Sequence, residues 1–482
     1  MAISVIPPAV TLRPCTTARV RASCVTPRRG LRVANSIVFR GACIGLRELW
    51  GSLRNAGAPC RAWVAVLMCF VSGVGGSAEL SAETLRRSGE AVTLDYFGLH
   101  MHRVHTVTPW PSVSFGSWRL LDAYVNWFNL EPKRGQWDFK TLDRYVQLGE
   151  QHGVSLLLPL AFPPSWASRS PGEKGAYGAG SAAPPRDLGE WRQYVRVVAE
   201  RYRQSINEFE IWNEPNLRNF FSGSQDDLVL LARVAHETLR EVTPRSRLVS
   251  PSVTGGVEHV KWLDSYLERG GGQYADVVGF HFYAPQKEPE AMLPLIRDVQ
   301  AVMKRRGLQE KPLWNTESGW WIANTDGTPE EVAVHPSWRR LDPELAAAYV
   351  GRALILGWAA GLDRFYWYAW DNYSMGLIEP GRKTMKPGAV AYATTVDWLL
   401  GAVVSECVRR PEGLWVCELS RGVEEALIVW TERGEKEFML PAEWKAERFD
   451  TILGEARKIA PGSRSVTVSE APLRIVRAIH GR

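Results

Sequence analysis

Cysteine, long apolar runs and an excess of one charge are all scarce over most of this sequence. Seven cysteines in 482 residues are too few for a disulfide scaffold. The apolar run at 62–71 is too short for a comfortable membrane span. With 45% hydrophobic and 23% charged residues, the composition excludes a disordered chain, a collagen and a coiled coil. A globular protein with ample apolar surface to bury is therefore expected.

The net charge of +6 is confined to the N-terminal segment. Residues 1–78 contain ten arginines, no lysine and one acidic residue, Glu48. The remaining 404 residues hold 48 basic and 51 acidic side chains and so carry a net charge of −3. No nucleic-acid partner is expected for this folded part.

The segment 54–78 has the features of a secretory signal. Arg54 and Arg61 precede the apolar run at 62–71, and small residues follow up to Ala78. Secretion or export to the periplasm is therefore predicted, with no membrane association after cleavage and an uncleaved membrane anchor as the alternative. Because the run begins about 60 residues into the chain, a start codon assigned too early is the simplest interpretation of residues 1–50. A transit peptide is a second interpretation, and twin-arginine export through Arg28 and Arg29 is a weaker third.

Only Cys407 and Cys417 lie beyond residue 69. Their spacing suits a link across a hairpin, which fits an oxidising compartment. Whether the two form a disulfide is left open at this point.

Residues 79–401 alternate short apolar segments with amphipathic ones. The strand candidates are 93–101, 117–121, 154–160, 208–212, 247–253, 275–282, 312–316 and 363–369. The main helical patterns are 188–202, 226–242, 260–270, 293–306 and 343–360. Continuous apolar strands that alternate with helices predict an α/β fold, a (β/α)8 barrel whose function lies at the carboxyl ends of the strands.

The pattern changes after residue 401. Short strand-like runs separated by Gly, Pro and charged turns fill 402–482. This predicts a small antiparallel β-sandwich. Three segments are therefore expected: a signal-like or wrongly assigned N-terminal stretch (1–78), a catalytic barrel (79–401) and the sandwich (402–482).

Two glutamates end strand candidates of this barrel. Glu214 follows Trp212-Asn213 and precedes Pro215, while Glu317 ends the run Leu313-Trp314-Asn315-Thr316. Their separation of 103 residues corresponds to about three βα units, which assigns them to strands four and seven. Two carboxyl groups that face each other across a barrel mouth suit glycoside hydrolysis, in which one protonates the leaving oxygen and the other attacks the anomeric carbon.

The run Trp212-Asn213-Glu214-Pro215 resembles the Asn-Glu-Pro motif of the retaining (β/α)8 glycoside hydrolases (clan A) over about residues 92–400. With the trailing sandwich, the chain is similar to the family 39 branch of β-xylosidases and bacterial endoglycosidases. The resemblance implies that Glu214 is the acid/base, Glu317 the nucleophile and Asn213 the partner of the sugar 2-hydroxyl.

The same resemblance implies further substrate-binding residues. Tyr283 would orient the nucleophile, and His281 would line the subsite or be a buried structural histidine. Arg119 would hold Glu317 ionised or form an ordinary surface pair. The other candidates are His100, Trp127, the strand-eight aromatic Trp370, and the loop residues Trp166 and Trp320, for which packing or loop anchoring is the alternative.

The pair His100 and His102 also resembles the start of a metal-dependent amidohydrolase barrel. Such a site needs further ligands, but strand four ends in Asn213-Glu214 and strand five in Ser250-Pro251-Ser252. The sequence has no P-loop or dinucleotide fingerprint, and no Gly-x-Ser-x-Gly elbow at a strand end. Neither a metal nor another cofactor is predicted.

The predicted function is that of a monomeric, secreted retaining glycosidase acting on an oligo- or polysaccharide. A carbohydrate-binding protein without catalysis is the alternative from another class. A transglycosylase shares every residue of the site and differs only in which acceptor reaches the intermediate. The sugar is not readable, and the long loops at 162–185 and 318–342 favour endo-action.

Overall fold

The computed structural model describes residues 83–87, 89–330 and 337–477. The predicted signal-like stretch 54–78 lies outside the described residues.

In this described part, eight parallel strands form a barrel. They are β1 Phe97–His100, β2 Ser117–Arg119, β3 Ser155–Leu160, β4 Glu208–Ile211, β5 Arg247–Val249, β6 Val278–His281, β7 Leu313–Ser318 and β8 Arg364–Trp367. Neighbours in the sequence pair in parallel, β8 pairs with β1, and a parallel bridge between Val249 and Val277 closes the gap between β5 and β6. The predicted (β/α)8 fold is confirmed.

Helices follow seven of the eight strands over the described ranges. They are α1 Lys140–His152, α2 Leu188–Arg201, α3 Gln225–Val242, α4 Val257–Glu268, α5 Met292–Arg305, α6 Pro343–Ala359 and α7 Pro387–Leu399. Turns replace the helix between β1 and β2, where Pro109 and Pro111 interrupt the segment 101–116. None of the described helices combines the length and apolar character needed to cross a membrane.

Several short helices and strands complete the barrel. One-turn helices are Trp127–Leu130, Leu94–Tyr96, Gly271–Tyr274 and Pro289–Ala291. Short strands are Val253–Thr254, which pairs with β6, and the pairs Lys174–Gly175 with Gly178–Ala179 and Trp321–Ile322 with Arg340–Leu341. The last two pairs lie in the long loops that follow β3 and β7.

The chain after the barrel forms antiparallel sheets, as predicted. The strands are β9 Val403–Arg409, β10 Leu414–Arg421, β11 Glu424–Thr431, β12 Lys436–Met439, β13 Arg448–Thr451, β14 Ala456–Lys458, β15 Ser465–Val468 and β16 Leu473–Val476. Strands β12 and β15 form a separate pair, and the others form one sheet. One edge strand of this sheet is Glu83–Leu85, which pairs with β9, so the first described strand belongs to the C-terminal sheet. The domain limits 79–401 and 402–482 stay a prediction.

Helix α6 packs between the barrel and this sheet. Fifteen of its 17 residues are buried, because it has apolar side chains on every face. A Cβ on Gly351 would lie 2.8 Å from the Ile452 side chain, which shows how closely the sheet approaches the helix. Trp430 on β11 also donates a hydrogen bond to Glu290, before α5 (2.9 Å). The sheet therefore covers barrel helices.

Cys407 and Cys417 form a disulfide. They are directly opposite each other on the antiparallel strands β9 and β10, with Cα atoms 4.0 Å apart. The disulfide therefore joins the two strands of one hairpin and involves no residue of the barrel.

Candidate active site

The carboxyl ends of β4 and β7 bring two acids to the same cavity. Glu214 lies three residues beyond the end of β4, and Glu317 is the penultimate residue of β7. Trp212 and Glu214 both have left-handed backbones, with φ of 58° and 46°, and the Glu214 amide donates to the Ser252 carbonyl (2.9 Å). Left-handed backbone at non-glycine residues costs about 1–3 kcal/mol and is concentrated at functional sites. This backbone geometry turns Glu214 into the cavity.

Glu214, Glu317 and His281 form a compact cluster. One carboxylate oxygen of each glutamate and a ring nitrogen of His281 all lie within 4.8 Å of one another. His281 Nδ1 is 3.0 Å from Glu214 Oε1. The side chain of Glu317 is 9% exposed and that of Glu214 is 12% exposed. The two acids are thus largely withdrawn from water but remain accessible from the cavity.

Arg119, at the end of β2, lies beneath this cluster and is fully buried. Its guanidinium donates to Glu317 Oε2 (2.9 Å), to Asn213 Oδ1 (2.8 Å) and to both carboxylate oxygens of Glu210 (2.6 and 2.9 Å). Burial opposes the charged form, but the surrounding carboxylates raise the pKa of Arg119 further above its usual range. One fixed cation therefore positions an acid of β4 and an acid of β7.

The other oxygen of Glu317 accepts a hydrogen bond from the Tyr283 hydroxyl (2.8 Å). Tyr283 lies two residues beyond the end of β6, and His281, whose imidazole is fully buried, is the last residue of that strand. Burial lowers the pKa of His281 to about 4, although the charge of Glu317 opposes this shift. The imidazole next to Glu214 is therefore neutral near pH 7.

Burial raises the pKa of both carboxyl groups to about 7. For Glu214, the hydrogen bond with Thr254 and the charge of Arg119 oppose the shift. For Glu317, His281 and Arg119 oppose it, while the charge of Glu214 adds to it. Because the acids interact, they lose their protons in two steps that belong to the pair. The contacts of Glu317 with Arg119 and Tyr283 stabilise its charged form, so a single proton on the pair resides on Glu214.

The cavity above the two acids has a volume of about 1040 Å³. Asn213, Glu214, Tyr283 and Glu317 line it. Its aromatic lining also includes Tyr177 and Trp338 from the two long loops, Phe220 and Tyr368. A large cavity with aromatic faces and a few polar groups is typical of a small-molecule or saccharide site.

Five other predicted residues are absent from the described lining of this cavity. His100 is fully buried and its Nε2 lies 3.0 Å from the Thr316 carbonyl. Trp127 and Trp166 both donate to Glu131 (2.9 and 3.0 Å), and Trp320 donates to main-chain carbonyls after β6. Trp370 is 3% exposed. Trp166 is partly buried and the other four side chains are buried in the walls, so their predicted role in substrate binding stays a prediction.

Three residues of the site were not predicted from the sequence. Glu210 holds Arg119 from within β4. Asp122 and Tyr368 line the cavity, and the Tyr368 hydroxyl donates to Asp122 (2.8 Å). Glu210 carried a usable signal, because a charge inside an apolar strand requires a buried partner.

Among the described residues, Glu214, His281 and Glu317 are the group that could offer ligands to a metal ion. Both oxygens of Glu317 already accept hydrogen bonds, and His281 occupies an oxygen of Glu214. The cation of Arg119, 2.9 Å from Glu317, would repel a second cation. The arrangement fits a carboxyl pair that shares a proton better than a metal site.

Known proteins resemble this chain in sequence and in fold. The model of the family "Glycosyl hydrolases family 39" matches residues 117–351. A β-xylosidase of Geobacillus stearothermophilus is 28% identical over 258 residues, which cover 48% of each chain, so the match spans about half the length of this curated relative.

Two solved structures share the fold. A family 39 glycoside hydrolase from Bacteroides cellulosilyticus WH2 superposes with a TM-score of 0.62 at 17% identity, over 81% of this chain and 82% of its own. A monomeric β-xylosidase from Caulobacter crescentus CB15 superposes with a TM-score of 0.57 at 16% identity, over 81% of this chain and 97% of its own.

Over this matched segment the chain is similar to the glycoside hydrolases of family 39. The matched segment of this family 39-like protein begins at β2 and ends within α6. It therefore contains Arg119, Glu214, Tyr283 and Glu317 but neither β8 nor the C-terminal sheet.

Proposed function

We propose that this family 39-like protein is a retaining glycosidase that cleaves O-glycosidic bonds in two steps. The observation that carries the proposal is the pairing of Glu214 and Glu317, whose nearest oxygens lie within 4.8 Å above one guanidinium. Carboxyl groups about 5–5.5 Å apart suit a retaining mechanism, whereas an inverting enzyme needs a wider gap for its water.

In the first step, ionised Glu317 attacks the anomeric carbon while protonated Glu214 gives its proton to the leaving oxygen. Arg119 and Tyr283 hold one Glu317 oxygen each, which fixes the nucleophile and keeps it charged. Asn213 directs its carbonyl oxygen to Arg119, which leaves its NH2 group to donate to a sugar hydroxyl. In the second step, Glu214 removes a proton from water, and this water releases the sugar from Glu317.

We propose β-xylosides as the first substrates to test, because the Geobacillus relative and the Caulobacter protein are both named β-xylosidases. We also propose that the protein works outside the cytoplasm as a monomer. The Cys407–Cys417 disulfide supports the first part of this proposal, because such links persist in oxidising compartments.

Glutamine variants of the two acids test their roles. Glu317→Gln is expected to lose hydrolysis of every glycoside, because no glycosyl-enzyme forms. Glu214→Gln is expected to lose about 10²–10⁴-fold on unactivated oligosaccharides but to keep a first-step burst with a 4-nitrophenyl glycoside, whose leaving group needs no proton. Glu208→Gln, at the opposite end of β4, is the matched control and is expected to keep both activities. Identical behaviour of the two site variants on both substrates would overturn the assignment.

A further inference from the structure

A second cavity, of about 380 Å³, adjoins the catalytic cavity. The two cavities share Asp122, Tyr177, Tyr368 and Asn372 in their linings. The rest of the second lining comes from the segments that follow β1 and β2, none of which takes part in the two-step reaction proposed above. This part of the barrel mouth therefore lies beside the reacting groups and has no role in the bond cleavage itself.

The boundary between the cavities is a hydrogen-bonded wall. Tyr177 donates its hydroxyl to Asp122 Oδ1 (2.6 Å), and Tyr368 donates to Asp122 Oδ2 (2.8 Å). The three side chains come from the segments after β2, β3 and β8, so three parts of the barrel hold the wall in place. A saccharide that occupies both cavities would cross this wall at the mouth and meet the polar groups of its rim.

The second lining is rich in groups that can bond to hydroxyls. The Oδ1 of Asn129 accepts from the Asn126 amide (3.2 Å), and over the described residues the side-chain nitrogens of both asparagines have no hydrogen-bond partner. His102 is 8% exposed, and its buried Nε2 is also without a partner there. Arg103 packs over Tyr373 (4.4 Å from its ring centroid), with no carboxylate at ion-pair distance in the described chain. Its guanidinium donates to the main-chain carbonyl of Asp371. Arg103 and Asp122 are the two charged residues of the described lining, so the lining has no excess of either charge.

An aromatic face lies at the rim of this cavity. Tyr124 is 57% exposed and has a left-handed backbone, with φ of 59°. A bulky residue in this conformation with its ring in solvent is uncommon, and such strain is concentrated at functional sites. Phe128 is a second aromatic residue of the lining. Aromatic faces beside hydroxyl-binding groups suit a neutral sugar ring.

The position of Glu214 sets the direction of the substrate. The proton donor must face the leaving oxygen, so the leaving group extends towards the residues after β4 and β5, where Leu217, Thr254 and His259 line the large cavity. The opposite side, after β1, β2 and β8, receives the part of the chain beyond the sugar that is attacked. The second cavity has room for about twelve waters, which is ample space for one sugar ring with its hydroxyls.

We propose that the second cavity is a sugar-binding subsite, which holds a neutral sugar residue next to the attacked one on its non-reducing side. The inference rests on the proposed function, because the role of Glu214 as the acid distinguishes the leaving-group side of the site from the non-reducing side. It means that the enzyme recognises at least two sugar residues before the cleaved bond and releases products longer than one sugar. Tyr124 is the specificity-determining residue that the structure assigns to this subsite.

Paired substrates test the subsite. We would measure kcat/KM for matched 4-nitrophenyl glycosides of one and of two sugar residues, built from xylose, glucose, mannose or galactose. For the sugar that is cleaved, the wild type is expected to prefer the two-residue glycoside. Tyr124→Ala is expected to lower the ratio of the two-residue to the one-residue kcat/KM about ten-fold. The matched control Asn219→Ala, an exposed loop residue outside both linings, is expected to leave this ratio unchanged.

A wild type that prefers the one-residue glycoside, or an unchanged ratio in Tyr124→Ala, would overturn the subsite while leaving the proposed function standing. If no glycoside is cleaved, the proposed function fails, and calorimetric binding of xylotriose, cellotriose and mannotriose decides the subsite by itself. Weaker binding by Tyr124→Ala, by about ten-fold, would support it. Equal affinity, or no binding of any trisaccharide by the wild type, would overturn it.

Discussion

Replacement of Glu210 by glutamine removes one charge from the site while nearly preserving its shape. Glu210 is fully buried and accepts two hydrogen bonds from Arg119, at 2.6 and 2.9 Å. The same guanidinium donates to Glu317 at 2.9 Å. Glutamine keeps an oxygen for Arg119, so the variant mainly changes the charge that Glu317 experiences through its shared cation.

The size of the effect follows from Coulomb's law. Because one guanidinium lies between them, the carboxylates of Glu210 and Glu317 are taken as roughly 6 Å apart. At an effective dielectric constant of about 20, their repulsion is ~3 kcal/mol, which corresponds to a shift of about 2 pKa units. Removal of the Glu210 charge therefore lowers the pKa of Glu317 and, over a longer distance, that of Glu214. The acid limb of the kcat/KM profile reports proton loss from the nucleophile, and the alkaline limb reports proton loss from the acid. Both limbs should move to lower pH, by about one to two units.

The assay is the pH dependence of kcat/KM with the 4-nitrophenyl glycoside that the wild type cleaves fastest. Glu208→Gln is the matched control, since Glu208 is also a buried acid on β4 but pairs with Arg247 and Arg364. It should lose a similar amount of stability in thermal denaturation and keep the wild-type limbs. Limbs that stay in place in a folded Glu210→Gln, or that move to higher pH, would refute the proposed charge coupling through Arg119.

Three further predictions concern Tyr283, Glu214 and the disulfide of the C-terminal sheet. Tyr283→Phe removes a hydrogen bond to charged Glu317 and should raise its pKa, which moves the acid limb up by about one unit; an unmoved limb would contradict this role. Burial raises the pKa of Glu214 from 4.5 to about 7, so the free energy of unfolding falls as the pH rises through this range. Glu214→Gln cannot ionise, so the fall between pH 5 and pH 8, measured by urea titration at each pH, should be smaller by roughly 3 kcal/mol. The double variant Cys407→Ser, Cys417→Ser should destabilise the C-terminal sheet by about 3 kcal/mol without changing kcat/KM; lost activity in a folded variant would contradict a purely structural link.

The sequence was most informative where one periodicity dominates. Apolar strands that alternate with amphipathic helices allow few architectures, so eight strands and their order were predictable. The convergence of Glu214 and Glu317 followed from the same regularity, because carboxyl ends of parallel strands meet at one face. The segment 101–116 breaks the regularity, since it joins β1 to β2 by turns, and its residues were therefore hard to place.

The aromatic lining was the least predictable part of the site. In the run from Phe365 to Trp370, five of the six residues are aromatic and have similar propensities, and only the strand's alternation separates inward from outward positions. Because β8 ends at Trp367, the alternation does not extend to Trp370, and Tyr368 supplies the cavity wall instead. Nothing in the sequence marked Asp122 as a site residue, because its place in the wall depends on the hydroxyls of Tyr177 and Tyr368, which come from the segments after β3 and β8.

The most direct test of the carboxyl pair is to identify the residue that becomes glycosylated. The protein would be incubated with an activated 2-deoxy-2-fluoro derivative of the best glycoside, digested and mapped by mass spectrometry. The proposed mechanism predicts one added glycosyl group, in ester linkage to Glu317. An ester on Glu214 or on any other residue would contradict it.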